Sequence, residues 1–461
     1  MKTLPKRTTL ETAQDLTPIK RLTALALSLL LAFTCALSVA PAVAEVRSDD
    51  VVYGQTIESR GLTVSESPSI DAEYALVMDS NGTIYFERNA YDSTQIASIT
   101  KVMTAIVALD AVADGTISLD TVITVSTEAA SVGESSAYLW ADDTLTLEAA
   151  LYALLIPSGN DAAVAIAEAV AGSVDDFVEL MNEKAEELGL TDTYFENPHG
   201  LDSGTYAGDQ HSCAADVAVM VQYAMTNETF RTIVATSDTT ITVTRSGETT
   251  ELTLSSTDGF IDLYEYAIGV KTGYTNLAGW SFAGAALMDG IELYVVVINS
   301  TSDDQRFEDA QTLCEWVYDH LVSYSLINTT KSIVVDGETY AVVAQVAHSQ
   351  WTNKTVAATV ADEDATLLVF DLNGNVSQSI EFYELTGDIK TGDVVGTITF
   401  KQHNEVIATL DLIACEDVDA PGFFERIGVW FKRLVANFTG SQKVATSVVY
   451  NEMTLIVDKT S

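Results

Sequence analysis

The sequence predicts an α+β protein: an antiparallel sheet with helices packed against it, followed by a smaller all-β domain. Three observations carry this. Strand patterns open the chain's body, helical patterns fill its middle, and strand patterns return before a closing helix. Beyond about Ser325 the helical periodicity ceases, and short strand-like runs alternate with turn residues. The 461 residues leave room for two or three domains, at roughly 100 to 200 residues each.

Taken in order, residues 73–78 and 83–87 flank Asn81-Gly82, a hairpin signal. From Ser98 to Ala113 the apolar residues Val102, Met103, Ile106, Val107 and Leu109 recur at helical spacing, with Gly115 as a stop. Helical spacing returns over 147–155, 161–170, 174–188 and 214–225. Two further hairpins are predicted, 239–244 with 249–255 and 279–287 with 291–298, and a helix over 304–321 closes the unit. Strand-like runs then come at 331–335, 355–360, 366–370, 395–400 and 406–413.

Composition excludes several functions. With 66 acidic and 23 basic side chains the formal charge is −43, so a phosphate backbone is repelled and nucleic-acid binding is not expected. The four cysteines (35, 213, 314, 415) and five histidines show neither C-x-x-C nor H-E-x-x-H spacing, so neither a metal nor another cofactor is expected. At the N-terminus Lys20-Arg21, the uncharged run 22–40, Pro41 and Ala42-Val43-Ala44 read as a signal peptide over residues 1–44, with export of the body.

Three short strings carry the chemistry: Ser98-Ile99-Thr100-Lys101, Ser158-Gly159-Asn160 and Lys271-Thr272-Gly273. Ser98 and Lys101, three apart at a helix start, share a face, so the amine reaches the hydroxyl. A serine needs such a base to become a nucleophile, and the lysine must be neutral to serve, which burial and a second cation, Lys271, favour. Ser158 and Asn160 lie in a tight loop between two helices, where Ser158 can relay a proton and Asn160 can cap the helix expected to start at Asp161. Residues 269–275 read as an edge strand with glycines where a ligand approaches closely. Lys390-Thr391-Gly392 lies in an acidic turn without a serine partner and is read as coincidental.

These strings, with their neighbours Val102-Met103-Thr104-Ala105, Asp161-Ala162-Ala163, Asn197-Pro198-His199-Gly200-Leu201 and Tyr274-Thr275, resemble the motif blocks of the serine D-Ala-D-Ala carboxypeptidases, the low-molecular-weight penicillin-binding proteins. The resemblance covers residues 65–325. It implies a β-lactamase/transpeptidase-like catalytic domain, peptidoglycan stem peptides as substrate and β-lactams as inhibitors. It also implies roles: Ser98 forms the acyl-enzyme, Lys101 is its base, and Ser158 and Asn160 assist proton transfer and substrate placement. Lys271 and Thr272 of the Lys271-Thr272-Gly273 string hold the terminal carboxylate, and the N–H groups of Ser98 and Tyr274 form the oxyanion hole. Cys213 departs from the pattern, standing where a small hydroxyl residue is expected. A class A-like β-lactamase and a catalytically silent wall-binding protein of the same fold are the alternatives.

The C-terminal plan is similar too: a β-sandwich-like domain over 326–418, then an amphipathic segment over 421–438. Phe423, Phe424, Ile427, Trp430, Phe431, Leu434 and Phe438 accompany Arg426, Lys432 and Arg433 there, which suits a membrane surface; docking on the β domain is the other reading. The expected location is the outer face of the cytoplasmic membrane. The tail, 439–461, receives no role.

Overall fold

The computed structural model describes residues 50–52, 67–440 and 443–456. The expected signal peptide lies outside them. The chain divides into Met1–Asp50 and a unit from Val51 to Ser461, and the second unit holds the fold.

Its central sheet is antiparallel and contains, in spatial order, Ile84–Arg88, Tyr74–Asp79, Ile291–Ser300, Gly279–Met288 and Ala267–Thr275. Both faces are covered. Leu76, Met78, Val296 and Ile298 point into a core shared with the helix Lys101–Ala113, whereas Val77, Val295 and Val297 meet Phe307, Ala310 and Leu313 of the helix Asp303–His320. A sheet buried on both faces has no use for polar alternation, which is why residues 294–298 read as an unbroken apolar run. Every side chain from Lys101 to Leu109 is buried, so this helix runs through the core and not over it. Around it pack Leu147–Leu155, Asn160–Ala171, Val174–Glu187 and Ala214–Ala224. Fully buried Phe177 and Phe230 each contribute roughly 1.5–3 kcal/mol to that core.

The hairpin Asp238–Arg245 with Glu248–Ser255 joins a separate small sheet with Thr144–Thr146 and Val122–Thr124.

No linker separates the helix Asp303–His320 from the second domain: Leu321–Ser325 pairs at once with Thr366–Phe370. Phe370 packs on Tyr85 and Trp316 of the first domain. The second domain is all-β as expected, with strands ordered Ser377–Phe382, Val394–Gln402, Glu405–Ala414, Thr355–Thr359, Ala344–Ala347 and Val448–Val449. The last strand comes from the tail. Residues beyond the helix Phe423–Thr439 therefore return to the domain they seemed to leave, and Asn451 is buried beneath it. Its Nδ2 donates to Leu326 O and Gln378 Oε1, and its Oδ1 accepts from Asn328 N. Tyr324 OH donates to Thr454 O.

The amphipathic helix docks on the second domain through one face. Val429 and Ala436 are buried, and Arg433, expected from the sequence to face lipid, donates instead to the carbonyls of Ser349, Trp351 and Lys443. Its outer face leaves Phe423, Phe424, Ile427, Trp430, Phe431 and Phe438 exposed by half or more.

Candidate active site

Ser98 stands in a 3₁₀ turn, Ala97–Thr100, that feeds directly into the helix Lys101–Ala113. Ala97 opens the turn at φ +48°, a left-handed conformation held only because its surroundings impose it. Two glycines press on it. A Cβ at Gly200 would lie 1.9 Å from Ala97 O, and one at Gly273 would lie 2.7 Å from Ile96 O. The loop after Asn197 and the Lys271 strand therefore approach the Ser98 turn as closely as bare backbone permits.

Lys101 Nζ lies 2.7 Å from Ser98 Oγ and 2.9 Å from the carbonyl of His199. Asn197-Pro198-His199-Gly200 thus supplies the amine's second partner, a role its sequence did not reveal, and Pro198 O accepts from Thr104 Oγ1. Burial, then the neighbouring Lys271, holds the Lys101 ammonium pKa well below the usual lysine range, with Asp161 pulling the other way. An uncharged amine can accept the Ser98 proton. His199 is likewise kept neutral, pushed down to about 3 by burial and by Lys101.

Ser158 also has positive φ, at +62°, so the chain turns sharply after Pro157 and the helix starts at Asn160, one residue earlier than expected. Asn160 does not cap that helix. Its Nδ2 donates to Gly133 O, while its Oδ1 and the Ser158 hydroxyl are buried without a hydrogen-bond partner. Both line the cleft, as groups awaiting a ligand would. Asp161, unassigned by sequence, orders the opposite lip: it accepts from Ser136 Oγ and from the amides of Ala137 and Leu139.

The strand Ala267–Thr275 ends the central sheet, as its glycines suggested, and contributes the third wall. Lys271 is buried, donates to Thr272 O at 2.9 Å, and is pushed down to about 7 by burial and by Arg306. Thr272 Oγ1 is 2.7 Å from Thr257 Oγ1. Tyr274 is half exposed and stacks on Trp280, with centroids 4.0 Å apart. Arg306, which belongs to none of the three motif strings, lies behind them: Nη1 donates to the carbonyls of Gly273 and Ser281, an ion pair joins it to Asp303, and Nε has no partner. A lone arginine on a helix 35 positions beyond Lys271 carries no signal of its own. Ser98, Ser158, Asn160, Thr272, Gly273, Tyr274 and Arg306 border one cleft of about 770 Å³. Lys390 is remote from this cleft, pairing with Asp417 in an exposed turn.

Cys213 takes the place of the missing hydroxyl: Sγ caps the helix Ala214–Ala224, accepting from Asp216 N at 3.4 Å. Asp192, Cys213 and Asp216 cluster closely enough to suggest a metal. However, Asp216 already accepts from Asp192 N and Thr193 Oγ1, and burial pushes the thiol up to about 12, away from the thiolate a metal needs.

Among known proteins, a family model for D-alanyl-D-alanine carboxypeptidases matches residues 62–302. D-alanyl-D-alanine carboxypeptidase DacC of Escherichia coli is 30% identical over 78% of this chain and 88% of its own length. DacF of Bacillus subtilis is 28% identical over 79% and 89%. The crystal structure of a Streptomyces DD-transpeptidase superposes with a TM-score of 0.52 at 31% identity, over 55% of this chain and all of the other. That of DacD from Francisella tularensis reaches a TM-score of 0.55 over 80% of the chain; at 22% identity it speaks for the fold alone, second domain included. The matched span holds all three motif strings, and so the chain belongs to the D-alanyl-D-alanine carboxypeptidase family of serine peptidases.

Proposed function

We propose that Ser98 is the nucleophile that removes the terminal D-alanine from peptidoglycan stem pentapeptides, and that Lys101 is its base. The observation that carries this reading is the 2.7 Å approach of buried Lys101 Nζ, its pKa held well below the usual lysine range by burial and by Lys271, to Ser98 Oγ at the edge of a cleft. The hydroxyl gives its proton to the amine as Oγ bonds to the penultimate carbonyl carbon. The C–N bond then breaks, and the leaving D-alanine amine takes a proton from Lys101, with Ser158 as relay. Water hydrolyses the ester and frees Ser98. The N–H groups of Ser98 and Tyr274 stabilise the oxyanion, while Asn160 Oδ1 accepts from a substrate amide. Incubating the protein with a pentapeptide ending in D-Ala-D-Ala tests the activity; mass analysis should show the loss of one alanine. A β-lactam acylates the same serine.

Lys271 and Thr272, joined by Arg306, hold the terminal carboxylate, which restricts cleavage to chain ends. A charge-assisted bond of this kind contributes roughly 1.5–3 kcal/mol, about ten- to a hundredfold in kcat/KM. Lys271→Ala and amidation of the substrate C-terminus should each impose that loss, and both together little more than one, because they remove the same contact. Additive losses would show that Lys271 serves elsewhere.

Export and attachment to the outer face of the cytoplasmic membrane belong to the same proposal. Among the described residues no helix is long and apolar enough to cross a membrane. Support comes from the six exposed apolar side chains of the helix Phe423–Thr439, beside Lys432. The triple variant Phe424→Ser, Trp430→Ser, Phe431→Ser should stop co-sedimentation with anionic vesicles at low salt, without change in peptidase activity. If the unaltered protein stays in the supernatant, the attachment fails.

A further inference from the structure

Asp202 follows directly on Asn197-Pro198-His199-Gly200-Leu201 and is buried behind the cleft wall that Leu201 and Ser203 form. Its Oδ2 accepts from Thr275 Oγ1 at 2.5 Å, while its Oδ1 is buried with no hydrogen-bond partner among the described residues. Burying an acidic side chain half satisfied is costly and calls for a function. Both ends of the bond it does make are fixed. Asn197 Oδ1 accepts from His199 N and Gly200 N at 3.2 and 2.7 Å, and Leu201 O accepts from Asn197 Nδ2 and Gln210 Nε2 at 2.9 and 2.6 Å, so the loop that bears Asp202 is held in shape. Thr275 is the last residue of the strand Ala267–Thr275, and its hydroxyl also accepts from Ala278 N at 3.0 Å, which ties it into the turn beyond.

Three contacts thereby close a ring round the Ser98 turn. Gly200 of the loop presses on Ala97 O, and Gly273 of the strand presses on Ile96 O. Two residues beyond each glycine, Asp202 and Thr275 join loop to strand. The two backbone contacts only resist closer approach. The side-chain hydrogen bond is attractive, so it draws loop and strand together against them. Tyr274 lies inside this closure with both neighbours held: Arg306 Nη1 donates to Gly273 O at 3.2 Å, and Thr275 is bound to Asp202. The Tyr274 ring is half exposed, so burial of its own side chain does little to fix its backbone.

We propose that Asp202 is a positioning residue: through Thr275 it sets the place of the Tyr274 N–H relative to Ser98, and so the gap in which the oxyanion forms. This rests on the reading of that N–H as one half of the oxyanion hole. Donors of this kind work because they are already in place when charge develops on the carbonyl oxygen. Removing one costs about 10²–10³ in rate, and releasing it from its place costs part of that. The loss falls on the transition state, because the ground-state carbonyl makes less of the contact.

The test uses Thr275→Val, which keeps the shape of the side chain without its hydroxyl, and Thr275→Ser, which keeps the hydroxyl. Single-turnover acylation is followed with a D-alanyl peptide ester and with the thionoester of the same sequence, each rate divided by the compound's rate with hydroxide. Sulfur accepts hydrogen bonds weakly, so the thionoester draws little from the hole. Thr275→Val should lose about ten- to thirtyfold in acylation rate on the ester at saturation, with half-saturation within about twofold, and less than about threefold on the thionoester. Thr275→Ser should restore the ester rate to within about threefold. Asp202→Leu should match Thr275→Val, and the double variant should lose little more than either, because both break one bond. The two Thr275 variants decide the question by themselves if Asp202→Leu does not fold. Equal losses on the two esters, a loss confined to half-saturation, or losses that multiply in the double variant would make the pair structural and overturn the proposal; so would an unchanged ester rate in Thr275→Val. The unaltered enzyme reports on the oxyanion reading separately, and should favour the ester by at least about tenfold. Lack of preference there defeats that reading, whatever the variants do.

Discussion

Ser98→Ala is expected to abolish both covalent penicillin labelling and release of D-alanine, with a loss of at least about 10⁴-fold in kcat/KM, because Ser98 Oγ is the cleft hydroxyl held at 2.7 Å from an amine whose pKa burial and Lys271 lower. Fluorescent penicillin followed by denaturing electrophoresis reads the first effect, and peptide mapping of the labelled protein should place the adduct on Ser98. A label on another residue would refute the assignment. Lys101→Ala should slow acylation by a comparable factor while the protein remains folded, although it removes a buried amine bonded to His199 O. The two losses should not multiply: a serine without its base and a base without its serine fail at the same step. An acylation rate unchanged in Lys101→Ala would remove the lysine from the mechanism.

The second large effect concerns the tail. Asn451→Ala removes three hydrogen bonds at once and leaves Leu326 O without its partner in a buried place, while half-buried Gln378 Oε1 and the amide of exposed Asn328 can turn to water. At about 1–3 kcal/mol for the one buried group left unpaired, the second domain should lose roughly 2 kcal/mol, a drop on the order of 10 °C in its melting temperature. Circular dichroism on heating measures it. Penicillin acylation, which depends on the other domain, should persist at temperatures where the second domain has begun to melt. A melting curve identical to that of the unaltered protein would show that the tail merely lies against the domain. The same contacts spoil an otherwise natural experiment: cutting the chain after Ala420 removes the aromatic helix but also the strand Val448–Val449 and Asn451, so point substitutions on the helix face are the sound test of membrane binding.

Much of the site was legible because its chemistry needs residues at short fixed spacing. Ser98 and Lys101 meet through helical geometry, and Lys271-Thr272-Gly273 is one strand; local rules therefore placed each pair. The illegible part depends on chain segments that meet only in the fold. Arg306 reaches the cleft because the helix Asp303–His320 crosses behind the sheet, Asp161 because a positive φ at Ser158 turns the next helix toward the residue 134–139 lip, and His199 through its carbonyl and not its side chain. The tail's strand is two residues long, too short for any alternation to show. Helix ends slipped by a residue or two for the usual reason that terminal turns fray into 3₁₀ or extended geometry, as at Ala97–Thr100.

The close approach of Gly200 and Gly273 to the Ser98 turn decides which ligands the cleft treats best. Backbone in contact with backbone on two sides leaves the hydroxyl nowhere to retreat, so the partner must do the adapting. A flexible peptide end has to freeze several rotatable bonds to fit, at about 0.5–1.5 kcal/mol for each immobilised rotor-rich group, whereas a fused bicyclic lactam arrives with its bonds already frozen. A stiff pocket thus hands its advantage to the stiff visitor: with Ser98 as the proposed nucleophile, the same glycines that would ready it for a peptide would leave it open to capture by a rigid mimic.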